Sequence, residues 1–154
     1  MPTMSIFDFA RKNTQTPWYI AGLAFECTEC GRCCQGPEEG FVWATDEELQ
    51  AIARHLKMTE AAVRKKYVRK IGRRQSLKEK KPSNDCIFLC PTRQGGLCEI
   101  YPVRPTQCRT WPFWRSNLAT PYAWALAGER CPGINRGRLF TFEEIEERAH
   151  ATRE

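Results

Sequence analysis

Nine cysteines carry the chemistry of this chain. Four of them, Cys27, Cys30, Cys33 and Cys34, fall within eight consecutive residues of the run FECTECGRCCQGPEEG. Two-residue gaps let a turn aim successive sulfurs at one point, the arrangement found at zinc and iron–sulfur centres. Here the gap occurs twice in tandem, and Gly31 sits inside the second, where it permits a positive φ. Cys34 adjoins Cys33, and neighbouring side chains diverge, so one of the pair serves a second metal, bridges, or is structural. Cys86, Cys90, Cys98, Cys108 and Cys131 lie downstream. Two closed tetrahedral sites would use eight thiolates; one four-sulfur cluster plus free thiols is an equally legal count.

Four thiolates around a divalent ion leave a site of roughly −2, and binding requires those thiols to be deprotonated. Arg32, Arg104 and Arg109 lie beside cysteines and could lower their pKa values, or else make ordinary surface contacts. A disulfide scaffold is the alternative use of the sulfur. It requires export, and the odd count leaves one thiol over. The opening MPTMSIFDFARKNTQ shows no basic start, apolar block and small-residue cleavage site. The chain therefore reads as cytoplasmic, where thiols stay reduced. No apolar run approaches the roughly 18 to 20 residues that span a bilayer, so no membrane association is expected.

The elements that must position these thiols read as one domain over residues 1–154. The expected fold class is mainly α, with irregular cysteine-rich loops and a few short strands, organised by metal. A short helix is expected around Ile6 to Ala10, and Trp18, Tyr19, Leu23 and Phe25 supply apolar contacts before the cluster. FVWA at 41–44 is a strand candidate. Thr45 with Glu48 forms a capping box opening a first helix, and Thr59 caps a second. Together they predict a helical hairpin over 45–72, followed by a polar loop over 73–85. CIFLC and GGLCEIY read as short strands. Thr120-Pro121 starts a further helix that stops before Cys131, and Thr141 with Glu144 opens a C-terminal helix over 141–153.

The ordered set CTECGRCC, CIFL, CEIYPVRPTQCRTWPFW and CPGI resembles the YkgJ-like cysteine-cluster family, also described as the C-x-x-C-x-x-C-C zinc- or iron-chelating domain. The likeness runs from about Phe25 to Gly137, a cysteine-cluster core at 25–137. It implies eight metal-binding cysteines: Cys27, Cys30, Cys33, Cys34, Cys86, Cys98, Cys108 and Cys131. Cys90 departs from the pattern and is the spare thiol, expected to be buried as a small apolar residue. Larger relatives, flagellin lysine methylases, are associated with an iron–sulfur cluster; this chain has no Gly-rich nucleotide loop, so their activity is not carried over. The plain bacterial ferredoxin run matches only at its first three cysteines.

The leading expectation is a metal-binding protein holding zinc or iron through these thiolates, with no catalytic constellation in view. The first alternative is an iron–sulfur ([4Fe-4S]) redox protein or enzyme component. The second is a nucleic-acid-binding module. The net charge is +6, and residues 64–81 hold ten Lys or Arg against Glu79 alone. Lys65, Lys66, Arg69, Arg73 and Arg74 are the candidate phosphate contacts, although such a run more often marks a solvated helix face and loop. His55 and His150 lack ligand spacing to the cysteines. Trp111, Phe113, Trp114, Tyr122 and Trp124 are expected to pack the core around the metal loops rather than stack bases.

Overall fold

A computed structural model of the chain describes residues 15–152, so the helix expected at Ile6 to Ala10 lies outside the described residues. The elements run β1 (Leu23–Phe25), a 3-10 turn at Arg32–Cys34, α1 (Asp46–Leu56) and α2 (Glu60–Tyr67). The strands β2 (Val68–Ile71), β3 (Arg74–Leu77), β4 (Glu79–Lys80), β5 (Asp85–Cys86), β6 (Leu89–Thr92) and β7 (Gly95–Cys98) follow. A 3-10 turn at Tyr101–Val103 leads to α3 (Thr106–Thr110), α4 (Arg115–Leu118), α5 (Pro121–Arg130), β8 (Arg138–Phe140) and α6 (Phe142–Ala151).

The fold is mixed rather than mainly helical. Strands β2–β7 pair in three successive antiparallel ribbons, and β1 pairs with β8. The expected second helix stops at Tyr67, five residues short of Gly72, because Val68 turns to extended backbone and enters β2. The residues read as a polar loop over 73–85 instead supply β3 and β4, with Val68 opposite Leu77 and Ile71 opposite Arg74. β-branched Val68 and Ile71 favour the pleated state over the helix. CIFLC is not one strand: Asp85–Cys86 and Leu89–Thr92 belong to separate ribbons. Of FVWA, Trp43 makes a single bridge to Ser76. The cysteines sit on ribbon ends, a helix and a helix cap as well as in loops, which corrects the expectation of cysteine-rich loops.

Among the described residues, four of the six helix starts, those of α1, α2, α5 and α6, follow side-chain caps. Thr45 and Thr141 form reciprocal capping boxes with Glu48 and Glu144, and Thr59 and Thr120 each accept from the backbone three residues on. Such caps satisfy N–H groups that the first helical turn otherwise leaves open.

Two hydrophobic clusters form, with no buried residue in common. The first gathers Tyr19, Leu23, Phe113, Leu118, Trp124, Ala127, Ile134, Ile145 and Ala149 from the two ends of the described chain. The second gathers Ala44, Leu49, Ile52, Ala53, Val63, Tyr67, Leu77, Phe88 and Ile100 from α1, α2 and the ribbons. The short helix α3 ties them. Glu48 at the start of α1 accepts from both the Thr106 N–H and its hydroxyl at 2.7 Å. Buried Gln107 accepts from Trp43 N at 2.8 Å and donates to Phe41 O at 3.0 Å. From the same helix, the Thr110 hydroxyl meets that of Thr152, just beyond α6.

Candidate metal centre

The chain delivers eight of its nine cysteine sulfurs from five segments. Cys27 and Cys30 follow β1, with Cys33 and Cys34 in the 3-10 turn beyond them; Cys86 ends β5 and Cys98 ends β7; Cys108 is on α3; Cys131 caps α5. All nine are free thiols. Eight of them line one cavity of about 170 Å³, walled also by Phe25, Leu77, Tyr101, Arg104 and Trp111. Those eight are the residues expected from the sequence pattern. The ninth, Cys90, is exposed on β6 rather than buried and does not line the cavity.

Local backbone chemistry explains the convergence. Gly31 has φ +74°, and a Cβ there would come within 2.9 Å of Gly96 Cα and of Leu89 Cδ1. The cysteine turn therefore lies directly on the β6–β7 ribbon, where Gly96 N donates to Cys30 O at 3.2 Å. Gly133 approaches as closely on the other side, since a Cβ would sit 1.9 Å from Glu26 O. Glu26 N donates to Gly133 O at 3.1 Å, which brings the Cys131 segment against the Cys27 segment.

Among the described residues, no three His, Cys, Asp or Glu side chains are drawn close enough to grip an ion as they stand. The Cys33 and Cys34 sulfurs lie 3.9 Å apart. Their hydrogen bond draws the Cys33 thiol down to about 7 against the effect of burial, with Arg104 and Arg130 adding positive charge. Cys34 is pushed up, first as the partner that keeps its proton and then by burial. Burial pushes Cys86 up to about 11 and raises Cys98 and Cys108 as well. Desolvation penalises a lone thiolate, and a cation brought among such thiols displaces their protons.

The donor set fits a soft or borderline metal. Thiolates select zinc, copper(I) and iron–sulfur clusters over hard cations. A second observation supports the fit. The indole N–H of Trp111, a residue of the cavity wall, is buried with no hydrogen-bond partner. An unpaired buried donor costs about 1–3 kcal/mol, and thiolate sulfur is the commonest acceptor along this wall, which also holds Thr28, Glu29 and Tyr101.

Of the three arginines beside cysteines, only Arg104 lines the cavity, stacked 3.7 Å over the Tyr101 ring and donating to Tyr101 O at 2.9 Å. Exposed Arg109 donates to the Thr106 hydroxyl. Arg32 contributes its carbonyl, which accepts from Arg130 Nε at 3.0 Å. Arg130 also donates to Gln35 O and so clamps the cysteine turn to the end of α5. Sequence reasoning missed Arg130, Tyr101 and Trp111. Arg130 carried the same signal as Arg104, a place near a cysteine.

The remaining candidates fall elsewhere. His55 is exposed and contacts Glu99 O, and exposed His150 lies 3.7 Å from Glu146. Phe113 and Trp124 pack the first cluster, Trp111 and Trp114 meet edge to face, but Tyr122 is 72% exposed rather than core. Much of the basic run is spent internally. Arg64 binds Asp46 and Glu60, Arg69 binds Glu39, and Arg74 stacks over Trp43. Lys66 lies over Tyr67, Lys78 donates to Lys65 O, and Lys80 to Leu89 O. No helix among the described residues is long and apolar enough to cross a membrane.

An uncharacterized protein of Methanocaldococcus jannaschii, MJ0661, is 38% identical over 96 residues, covering 62% of this chain and 48% of its own length. The chain thus spans about half the length of that relative. No solved structure matches. The family described as "CxxCxxCC: Putative zinc- or iron-chelating domain" matches residues 26–132, a span holding every cysteine of the chain. The chain belongs to that CxxCxxCC family.

Proposed function

We propose that this protein chelates zinc or iron through Cys27, Cys30, Cys33, Cys34, Cys86, Cys98, Cys108 and Cys131. The observation that carries this reading is the shared cavity: eight thiols from five separate segments line it, and the ninth does not. Chance placement of nine cysteines would not sort them by family position. The sulfurs draw together around bound metal from their present spacing, four to each tetrahedral ion, and the cavity leaves them room to do so. Once thiolates are bound to metal, Arg104 and Arg130 offset part of their negative charge.

The same donor set suits a zinc ion or an iron–sulfur cluster. Thiols kept as metal ligands suit a reducing compartment such as the cytoplasm. Chelation is the whole of the proposed role, with the ion held for structure, transfer or sensing.

Tag-free purification under anaerobic, reducing conditions, followed by metal and acid-labile sulfide analysis per chain, tests this reading. Metal bound near stoichiometry and lost in Cys27→Ser/Cys30→Ser supports it. Sulfide in equal measure with iron assigns a cluster, and its absence assigns a plain ion. Metal near zero, after reconstitution with zinc and with iron, sinks the proposal.

A further inference from the structure

Four indole N–H groups can be compared in their environments. Trp18 donates to Leu118 O at 2.8 Å, Trp114 to Gln107 O at 3.0 Å, and Trp124 to Asn135 Oδ1 at 2.9 Å. Trp111 differs: its nitrogen is buried and has no partner. Buried donors are paired in folded proteins, and an exception asks for an acceptor that arrives later.

The location of Trp111 narrows the choice of acceptor to the cysteine sulfurs and, in the neighbouring cavity, Glu79 Oε2, which is buried without a hydrogen-bond partner but lies 3.9 Å from Arg69 and 3.8 Å from Lys81. A second cavity of about 270 Å³ adjoins the thiol cavity, and the two share Cys33, Cys34, Leu77, Cys86, Cys108 and Trp111. Among the side chains of that common wall, sulfur supplies every acceptor. Trp111 immediately follows α3, which carries Cys108 three residues earlier, and it packs edge to face on Trp114 at 4.9 Å. That contact fixes the indole plane. A neutral thiol is a weak acceptor, whereas a metal-bound thiolate accepts strongly.

We infer that the Trp111 indole N–H is a built-in hydrogen-bond donor to the thiolate sulfur of the metal-loaded site, a positioning residue that selects the loaded state. The inference rests on the chelation reading. It adds a function for a residue outside the cysteine pattern: the unpaired donor disfavours the metal-free site and is satisfied when thiolate forms. Outer-shell donors of this kind orient ligands, and their removal costs about 10–100-fold in metal affinity.

The test uses the full chain labelled with 15N at its tryptophans, titrated with zinc and separately with cadmium. Trp111→Phe keeps the apolar ring, removes the donor and assigns the signal. The expected result is that the Trp111 indole cross-peak moves and its proton exchanges more slowly on loading. The cross-peaks of Trp18, Trp114 and Trp124, already bonded to oxygen, stay in place. With 113Cd, coupling from metal to the indole proton reports the bond itself. Trp111→Phe is expected to bind the same number of ions with affinity lower by about 10-fold or more. Full metal loading with a stationary Trp111 signal overturns this inference alone. A chain that takes up neither metal overturns the chelation reading and this inference with it.

Discussion

The two hydrophobic clusters are built on different terms. The first is aromatic: Phe113 stacks on Trp124 at 5.8 Å and meets Phe140 at 4.9 Å, while Tyr19 stacks on Phe142. It is assembled from residues far apart in sequence, Leu23 opposite Phe140 among them. The second is largely aliphatic and local, with Leu49, Ile52 and Val63 fully buried between two adjacent helices. Local contacts are cheap to close, whereas the first cluster must bring distant segments together. The cysteines lie where the two meet. Cys131 packs against the first cluster, Cys86 and Cys98 against the second, and Cys108 rides on the helix that ties them. Metal bound there would staple a costly long-range half to a cheap local one.

The largest effect expected from this comparison is that of metal removal. Zinc at about 1,000 times its dissociation constant stabilises the folded state by about 4 kcal/mol, worth about 8–16 °C in melting temperature at this chain length. Chelation should lower the melting temperature by that amount. It should also separate the unfolding midpoints read by tryptophan fluorescence, weighted to the first cluster, from those read by the amide resonances of α1 and α2, which report the second. Coincident midpoints with and without metal would break the comparison.

Core truncations come next. Ile145→Ala in the first cluster and Ile52→Ala in the second each remove a side chain with no exposed surface and should cost about 2–5 kcal/mol. Measured by urea unfolding, the double variant should be additive to within about 0.5 kcal/mol if the clusters are independent. A coupling larger in the loaded than in the metal-free protein would locate the staple at the thiols.

A smaller effect is expected at Glu48, the polar tie between α1 and α3. Burial alone would raise its carboxyl, but hydrogen bonds from Thr45 and Thr106 outweigh that and hold it below the usual range. A carboxyl lowered on folding contributes stability that is present above its unfolded value of about 4.3 and is lost as pH falls through the lower folded value. The stability difference between the native chain and Glu48→Gln should therefore be constant near neutrality and shrink below about pH 4. At pH 7, Glu48→Ala should cost about 1.5–3 kcal/mol, the worth of hydrogen bonds to a charged group. A difference between native and Gln chains that persists unchanged at pH 3 would remove the charged tie.

What the sequence disclosed follows the same division. The starts of α1 and α6 were legible because a Thr cap and a Glu three residues on interact within one turn, and both capping boxes are present; those of α3 and α4, which have no side-chain cap, were not. The end of α2 was not, because no breaker precedes Gly72; it is the pairing of Val68 with Leu77 across the β2–β3 ribbon that ends the helix. The eight cysteines that line the cavity are those named through the family resemblance. Arg130, Tyr101 and Trp111 were not legible, since their approach to the cavity depends on how α5 and the segment around α3 dock. Gly31 was legible for its positive φ, but its closeness to Gly96 is a contact across 65 residues.

The smallest expected effect separates the ninth cysteine from the eight. Cys90 faces Leu97 across the β6–β7 ribbon, is exposed, and lies on the ribbon whose end carries Cys98. Because it does not line the cavity, Cys90→Ser should change stability by less than about 0.5 kcal/mol, as surface replacements do, and should leave metal content unaltered. Cys98→Ser, eight residues on, removes a wall thiol and should reduce metal content or affinity. Elemental analysis of the two variants beside the native chain makes the contrast. Equal loss from both would mean that proximity along the ribbon, rather than membership of the cavity wall, decides which sulfurs bind.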